Sequence, residues 1–399
     1  MRPLTFYLGG LVSWFGAIGI QTVLFPFLVT IYLGQGPAEL GFAMMALFLP
    51  TMLLILLGGA TADHVDSRRI LMLVHVLAGL PAIGLFAAYL TDTLTYPLLI
   101  VYALIMGTAG AFIIPARDSL LSYISGSNIQ KAVMAATAFQ FGAQIVGFGL
   151  AAMEPLIGIG VIFLCQTALL WAGAALAIYL PTHKPTGGRA PSIGAIADGL
   201  REVRNTPRLL APTAIVFGVG ILFFGTSQVV LPVFVVDIFH GGSPELAYTN
   251  IAMMTGIILT ATLIGRAGGI VRQGRALIIA LFWGAFVMAS FSIAPSFPLF
   301  VLVAFFWGCG GGVAMTMNRT IIQESAPPTH RARVLAVFQM GVLGGAPIGA
   351  FLSGFYIEWF GPHIAVLIPS AGMLLMLALA CAATPIWSIR TLSAAAASD

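Results

Sequence analysis

The chain has 399 residues, of which 59% are hydrophobic and only 8% are Asp, Glu, Lys or Arg, against the roughly 25% charge of soluble domains. A mean hydropathy of +1.03 excludes an ordinary soluble enzyme or nucleic-acid-binding domain. The formal charge of +4 has to be read through where the charges fall.

A helix crossing the hydrocarbon core needs about 20 apolar residues. Twelve segments reach that length: 4–33, 38–60, 69–90, 95–124, 129–153, 156–180, 208–236, 245–266, 274–294, 296–324, 331–355 and 360–386. The first is too long for a signal-peptide core and lacks a small-residue cleavage site, so it is expected to stay as the first span. The break at 181–207 begins Pro181-Thr182-His183-Lys184-Pro185-Thr186-Gly187-Gly188, a linker sequence. There Ile193, Ile196, Leu200 and Val203 recur at helical spacing against Asp198, Arg201, Glu202 and Arg204, which predicts a short amphipathic helix on the cytoplasmic membrane surface. The expected organisation is a six-helix bundle over 1–180, the linker, a second six-helix bundle over 208–386 and a tail over 387–399. The fold class is an all-α membrane protein. Cys165, Cys309 and Cys381 lie inside apolar segments, too far apart for a metal motif, and are read as packing residues.

All 17 Lys and Arg residues fall in every second gap between the spans or beside it. They are Arg2; Arg68 and Arg69; Arg117 and Lys131; Lys184, Arg189, Arg201, Arg204 and Arg208; Arg266, Arg272 and Arg275; Arg319, Arg331 and Arg333; and Arg390. The alternate gaps carry only Glu39, Asp92, Glu154, Asp237, Glu245 and Glu358. Short basic loops are retained in the cytoplasm during insertion, so the pattern predicts an even number of spans with both termini cytoplasmic.

The halves echo each other. Phe139-Gln140-Phe141-Gly142 recurs as Phe338-Gln339-Met340-Gly341, 199 residues later. Gly107 and Gly110 recur as Gly308 and Gly310 to Gly312, and Gln21-Thr22-Val23-Leu24-Phe25-Pro26 has a counterpart in Gln228-Val229-Val230-Leu231-Pro232, shifted by one residue. Duplicated six-helix units place a substrate site at the midplane and give alternating access by rocking.

The loop Gly59-Ala60-Thr61-Ala62-Asp63-His64-Val65-Asp66-Ser67-Arg68-Arg69 resembles the signature loop of the major facilitator superfamily. Ser13 to Pro26, Leu49 to Asp63, Pro115-Ala116-Arg117, and Arg331-Ala332-Arg333-Val334 through Gly344 to Ala350 resemble the bacterial subfamily of the enterobactin exporter and macrolide efflux pumps. That subfamily is also described as drug:proton antiporter-3 or transmembrane secretion effector. The resemblance implies twelve spans, a bacterial inner-membrane location, small-molecule efflux coupled to protons, and a latch in which Asp63 faces the positive N-terminus of the eleventh span. Gly59 would let two helices approach closely, small residues being what packs helices in lipid. Arg117 and Asp118 would add an ion pair with Arg68 or Arg69. The alternative is that these charges sit in water and only fix topology. The second-half copy of the loop has Gly269 where the first has Asp63, so an asymmetric gate is expected.

The glycine-proline pattern of antiporters in this superfamily is absent from span five, where Phe148 stands in Gly147-Phe148-Gly149, and survives at Gly345, Pro347 and Gly349 of span eleven. No Asp, Glu, Lys or Arg lies near the middle of a span. The proton-coupling candidates are therefore His75, Asp118, Glu324 and Asp237. An uncharged cavity suits an apolar or neutral amphipathic substrate, with Gln21, Thr22, Gln140, Gln144, Thr226, Gln228 and Asn318 as polar handles and Phe25 among the aromatic surface. His64, His75, His183, His240, His330 and His363 are scattered and form no catalytic or metal cluster, so neither an enzyme, a cofactor nor a metal is expected. The expected partners are a small-molecule substrate, protons and the lipid bilayer, without nucleic acid, and the chain is expected to be a monomer. A uniporter or symporter importing a small metabolite stays open as the alternative.

Overall fold

In a bilayer every backbone polar group must find its partner inside the chain, which leaves helices as the economical solution for an apolar sequence. The computed structural model describes residues 2–126, 129–182, 201–326 and 331–391, and among these there is no strand. The helices are α1 (Arg2–Phe27), α2 (Pro37–His64), α3 (Ser67–Leu90), α4 (Tyr96–Ser125), α5 (Ile129–Ala152), α6 (Ile159–Ala177), α7 (beginning as Pro207–Val219), α8 (Ser243–Arg266), α9 (Gln273–Ser290), α10 (Phe297–Ser325), α11 (Arg331–Ala365) and α12 (Leu367–Ala383). Eleven of them are long and apolar enough to cross a membrane, and α12 is a shorter apolar helix. The expected break between spans eleven and twelve near residue 355 falls later, because α11 runs on to a non-helical Gly361 at φ 73°. Large apolar side chains such as Leu73, Val146, Phe286 and Leu375 are exposed on the outer faces, as suits a surface covered by lipid.

The described residues up to 182, together with His240–Asn250, form one compact unit, and those from 201 to Phe239 and from Ile251 onward form the other. The first residues of α8 therefore belong with the first unit, where Ser243 donates a hydrogen bond to Glu154 at 3.0 Å.

Glycines make the tight contacts within each unit. In the first, a Cβ on Gly147 of α5 would sit 2.8 Å from the Cα of Gly19 on α1 and would overlap the Gly16 carbonyl. In the second, a Cβ on Gly349 of α11 would sit 2.8 Å from the carbonyl carbon of Ile221, and one on Gly225 would lie 3.0 Å from the Cα of Gly349. The pairing of α2 with α4 at Gly107 likewise recurs between α8 and α10 at Gly308, where added Cβ atoms would overlap the carbonyls of Leu47 and Met253. The contact points are three residues apart on α1 (Gly16, Gly19) and four apart on α7 (Ile221, Gly225).

Helix α1 ends in a π-turn, Leu28–Tyr32. Helix α7 passes through one at Gly220–Gly225, resumes over Thr226–Val233 and ends in another at Phe234–Ile238. Each terminal π-turn starts two residues after a proline, Pro26 or Pro232. Each closes with a matching bond, Leu33 N–H to the Leu28 carbonyl at 3.0 Å and Phe239 N–H to the Phe234 carbonyl at 3.1 Å.

Most of the expected linker helix, including Ile193, Ile196 and Leu200, lies outside the described residues, as does the tail beyond residue 391. Its last turn is described. Val203 is buried in a cluster with Leu209, Val216, Ile322, Ala326, Val334, Val337 and Phe338. The ends of α7, α10 and α11 supply an apolar collar there, and burying Val203 in it removes its side chain from water.

Candidate functional site

The first unit holds a chain of hydrogen bonds across α1, α4 and α6. Gln21 on α1 is 6% exposed, and its Oε1 accepts from the Tyr102 hydroxyl at 3.0 Å. The Tyr102 oxygen accepts in turn from Gln166 Nε2 at 2.7 Å, and that nitrogen also donates to the Ala17 carbonyl at 3.3 Å. Gln166 is 1% exposed, a depth at which an amide without partners would be costly. Phe25 stacks on Tyr102 with ring centroids 5.9 Å apart. Two of the predicted residues, Gln21 and Phe25, thus share a site with Tyr102 and Gln166, which the sequence does not single out. The signal for them is a pair of polar tips inside otherwise apolar spans four and six.

The other expected handles are less tied. Thr22 turns its hydroxyl back to the Ile18 carbonyl at 2.8 Å. The side chains of Gln140 and Gln144 on α5 are half-buried and carry no hydrogen bond among the described residues.

In the second unit Thr226 donates to the Ile221 carbonyl at 3.1 Å and accepts from Ser353 of α11 at 2.9 Å. Ser353 has the Gly349 carbonyl, 2.6 Å away, as its alternative acceptor. Asn318 on α10 is 3% exposed, with Oδ1 sealed and without a protein partner. Gln228 is half-buried. Counted back from the prolines that precede the matching π-turns, Gln228 stands four residues before Pro232, the register of Thr22, whereas Gln21 stands five before Pro26. One helix position is a rotation of about 100°, so Gln21 and Gln228 occupy different faces in the two repeats.

At the α2–α3 loop the tight approach falls at Gly58, where a Cβ would lie 2.8 Å from the Ala111 carbonyl carbon; Gly59 is half-buried. Asp63 is half-buried in the last turn of α2. Asp66 is the N-cap of α3, accepting from the Arg68 backbone N–H at 3.0 Å, which satisfies one of the orphan donors of the helix start. The Arg68 side chain is half-buried and Arg69 is exposed. The Asp118 carboxylate pairs with its neighbour Arg117 at 3.4 Å, and the Arg117 guanidinium lies 5.1 Å from the centre of the Phe15 ring. Residues 327–330, before the start of α11, lie outside the described residues.

His75 on α3 is 3% exposed. Its Nδ1 donates to the Leu71 carbonyl at 2.7 Å, its ring meets Trp14 edge-on with centroids 5.5 Å apart, and Nε2 is sealed without a partner. A Cβ on Gly173 of α6 would come within 2.5 Å of that nitrogen. Glu324 at the end of α10 accepts from Gln273 Nε2 at 3.1 Å. Gln273 opens α9, so this carboxylate sits beside a helix N-terminus, where negative charge is stabilised. Asp237 is exposed in the terminal π-turn of α7. Gly345, Pro347 and Gly349 are buried on α11, with the two glycines against the α7 backbone.

A family model described as transmembrane secretion effector matches residues 5–396. The chain is 22% identical over 377 residues to the uncharacterised MFS-type transporter YfiS of Bacillus subtilis, covering 90% of this chain and 87% of that one. It is 25% identical over 378 residues to the multidrug efflux pump Tap of Mycolicibacterium fortuitum, covering 90% of each. A partial match, 27% over 174 residues, joins 39% of the chain to 36% of the glucose facilitated diffusion protein of Zymomonas mobilis. The solved structure of the nucleoside transporter NupG has the same fold, with a TM-score of 0.76 at 15% identity over 98% of this chain and 100% of that one. A POT family transporter has it too, with a TM-score of 0.74 at 12% identity over 97% and 96%.

Proposed function

Because the chain belongs to the transmembrane secretion effector family of the major facilitator superfamily, and is a membrane transporter of that type, we propose that it expels an apolar or neutral amphipathic small molecule by alternating access, coupled to the proton gradient. The observation that carries this reading is the chemistry of the buried helix faces. They present amides and hydroxyls, namely Gln21, Tyr102, Gln166, Thr226, Ser353 and Asn318, and no Asp, Glu, Lys or Arg in the middle of a span. Such a surface has hydrogen bonds to offer but no charge to neutralise an ionic cargo. The likeness to a multidrug efflux pump over nine-tenths of both chains supports export.

Within this reading both termini lie in the cytoplasm of a bacterial cell, the chain spans the inner membrane twelve times, and it works as a monomer without catalytic chemistry of its own. Asp63 acts as the cytoplasmic latch by engaging the positive end of α11 in one state of the cycle. Of the coupling candidates, Asp118 has the favourable setting. Its carboxylate is 60% exposed beside a single cation, Arg117, whereas His75 is enclosed.

The test is transport of a neutral amphipathic dye in inverted membrane vesicles, with and without an imposed pH gradient. Accumulation that collapses with the gradient is expected. Equilibration indifferent to the gradient would instead favour the second reading, facilitated diffusion of a small metabolite, to which the partial likeness to a glucose facilitator points. No movement of any neutral amphipath would remove the efflux reading.

A further inference from the structure

The hydrogen bonds around Gln21 have a direction, and the direction is fixed from one end. The Ala17 carbonyl can only accept, so the Gln166 atom 3.3 Å from it is the amide nitrogen. The same nitrogen lies 2.7 Å from the Tyr102 hydroxyl, so that oxygen accepts and its single proton has to be donated elsewhere. Its acceptor is Gln21, 3.0 Å away, which must therefore turn its carbonyl toward Tyr102 and its NH2 away. Flipping either amide would set two donors or two acceptors against each other at a buried position, which is strongly disfavoured. The NH2 of Gln21 makes no hydrogen bond among the described residues, and it is not one of the buried side-chain atoms sealed without a partner. It is a donor left over, held in orientation and open to contact.

We propose that Ala17, Gln166 and Tyr102 fix Gln21 as a hydrogen-bond donor to the cargo, so that the transporter selects amphipathic molecules bearing an acceptor oxygen, such as a ketone, ester or lactone carbonyl, over those that lack one. This rests on the reading of a neutral cargo and narrows it to a substrate class. Tyr102 and Gln166 are positioning residues, and Gln21 is the residue that touches the cargo. Phe25, stacked on Tyr102, keeps the phenol ring from swinging out of line.

The experiment uses two matched fluorescent probes, 6-propionyl-2-(dimethylamino)naphthalene and its 6-propyl counterpart, which differ by one carbonyl oxygen. Binding to the full chain in lipid nanodiscs is measured by direct titration of the ketone and by competition for the propyl compound. The wild type should bind the ketone roughly 3- to 10-fold more tightly, the worth of one hydrogen bond. Gln21→Met should bring the ratio to about one, and Tyr102→Phe and Gln166→Met should lower it by weakening the ketone more than the propyl compound. A merely structural role would weaken both probes together and leave the ratio where it was, and that result overturns the proposal. Equal wild-type binding of the two probes overturns it as well while leaving the neutral-cargo reading standing; binding of neither removes that reading. Should a variant fold poorly, wild-type and Tyr102→Phe protein labelled with 15N-glutamine supply a second measurement. The side-chain amide resonance that Gln21→Met deletes must move in Tyr102→Phe, and an unmoved resonance refutes the fixed orientation.

Discussion

Gly345 on α11 offers a sharp test of how the second unit is held together. A Cβ added there would lie 2.6 Å from the backbone nitrogen of Ile221, 2.7 Å from the carbonyl carbon of Gly220 and 2.7 Å from the Phe217 carbonyl oxygen. All three are main-chain atoms of α7 and its π-turn, so no side-chain rotation relieves the overlap and the two helices must separate. Overpacking of this kind costs about 1–3 kcal/mol. Alanine regains about 1 kcal/mol of helix propensity relative to glycine, which leaves Gly345→Ala destabilised by up to about 2 kcal/mol. The control is Gly149→Ala on α5, where the added methyl meets nothing within 4 Å and the propensity gain stands alone. Heating the detergent-solubilised proteins and counting surviving monomer by fluorescence-detected size exclusion should order them Gly149→Ala, wild type, Gly345→Ala. At domain sizes of this order each kcal/mol moves the midpoint by about 2–4 °C. A Gly345→Ala protein as stable as the control would mean that α7 and α11 do not pack through this glycine.

Three other outcomes are expected. Replacing Asp63 by Asn removes a carboxylate worth about 0.3–1 kcal/mol at a helix terminus; it should slow turnover in vesicles without lowering membrane expression, and normal transport would reduce Asp63 to a solvated loop residue. With the native cysteines replaced, single cysteines at the exposed positions Thr91 and His240 should label from outside intact cells, and one at exposed His64 should not. The opposite pattern reverses the orientation and the gate. Because His75 spends Nδ1 on Leu71 and has Nε2 sealed, His75→Phe should change stability but not the pH profile of transport, whereas Asp118→Asn should shift it. A profile moved by His75→Phe and not by Asp118→Asn would assign coupling to the histidine.

The apolar segments and the glycines were legible because a bilayer demands one thing of every span, unbroken hydrogen-bonded helix, and small residues wherever two spans touch. What lay beyond the sequence is what depends on a rotation or on a distant partner. Gly58 meets the α4 backbone at Ala111, and which of two adjacent glycines shows that face depends on the helix rotation. Tyr102 and Gln166 matter only because α4 brings the Tyr102 hydroxyl to Gln21 and α6 brings the Gln166 amide to Tyr102, and no spacing along the chain encodes that meeting. Ser67 and Ser243 stand at polar breaks between apolar segments, yet both are fully buried, the first beside the Asp66 cap and the second bonded to Glu154. The periodicity around Val203 names an apolar face without naming what covers it, here the ends of three helices.

The π-turn at Gly220–Gly225 has a bearing on how a packed helix tolerates a change in length. A residue inserted into a regular helix turns everything beyond it by about 100°, which on α7 would carry Pro232 and the turn after it off their face. A wide turn instead takes up an extra residue locally, here between Ile221 and Gly225, both of which touch α11. Past that point α7 matches α1, each with its proline and its closing bond from Leu33 or Phe239. A wide turn of this sort works as a local reservoir for spare length. Shortening it by one residue should return α7 to plain α-helix with the far end undisturbed, whereas the same deletion in the evenly wound middle of α1 would unseat every side chain downstream.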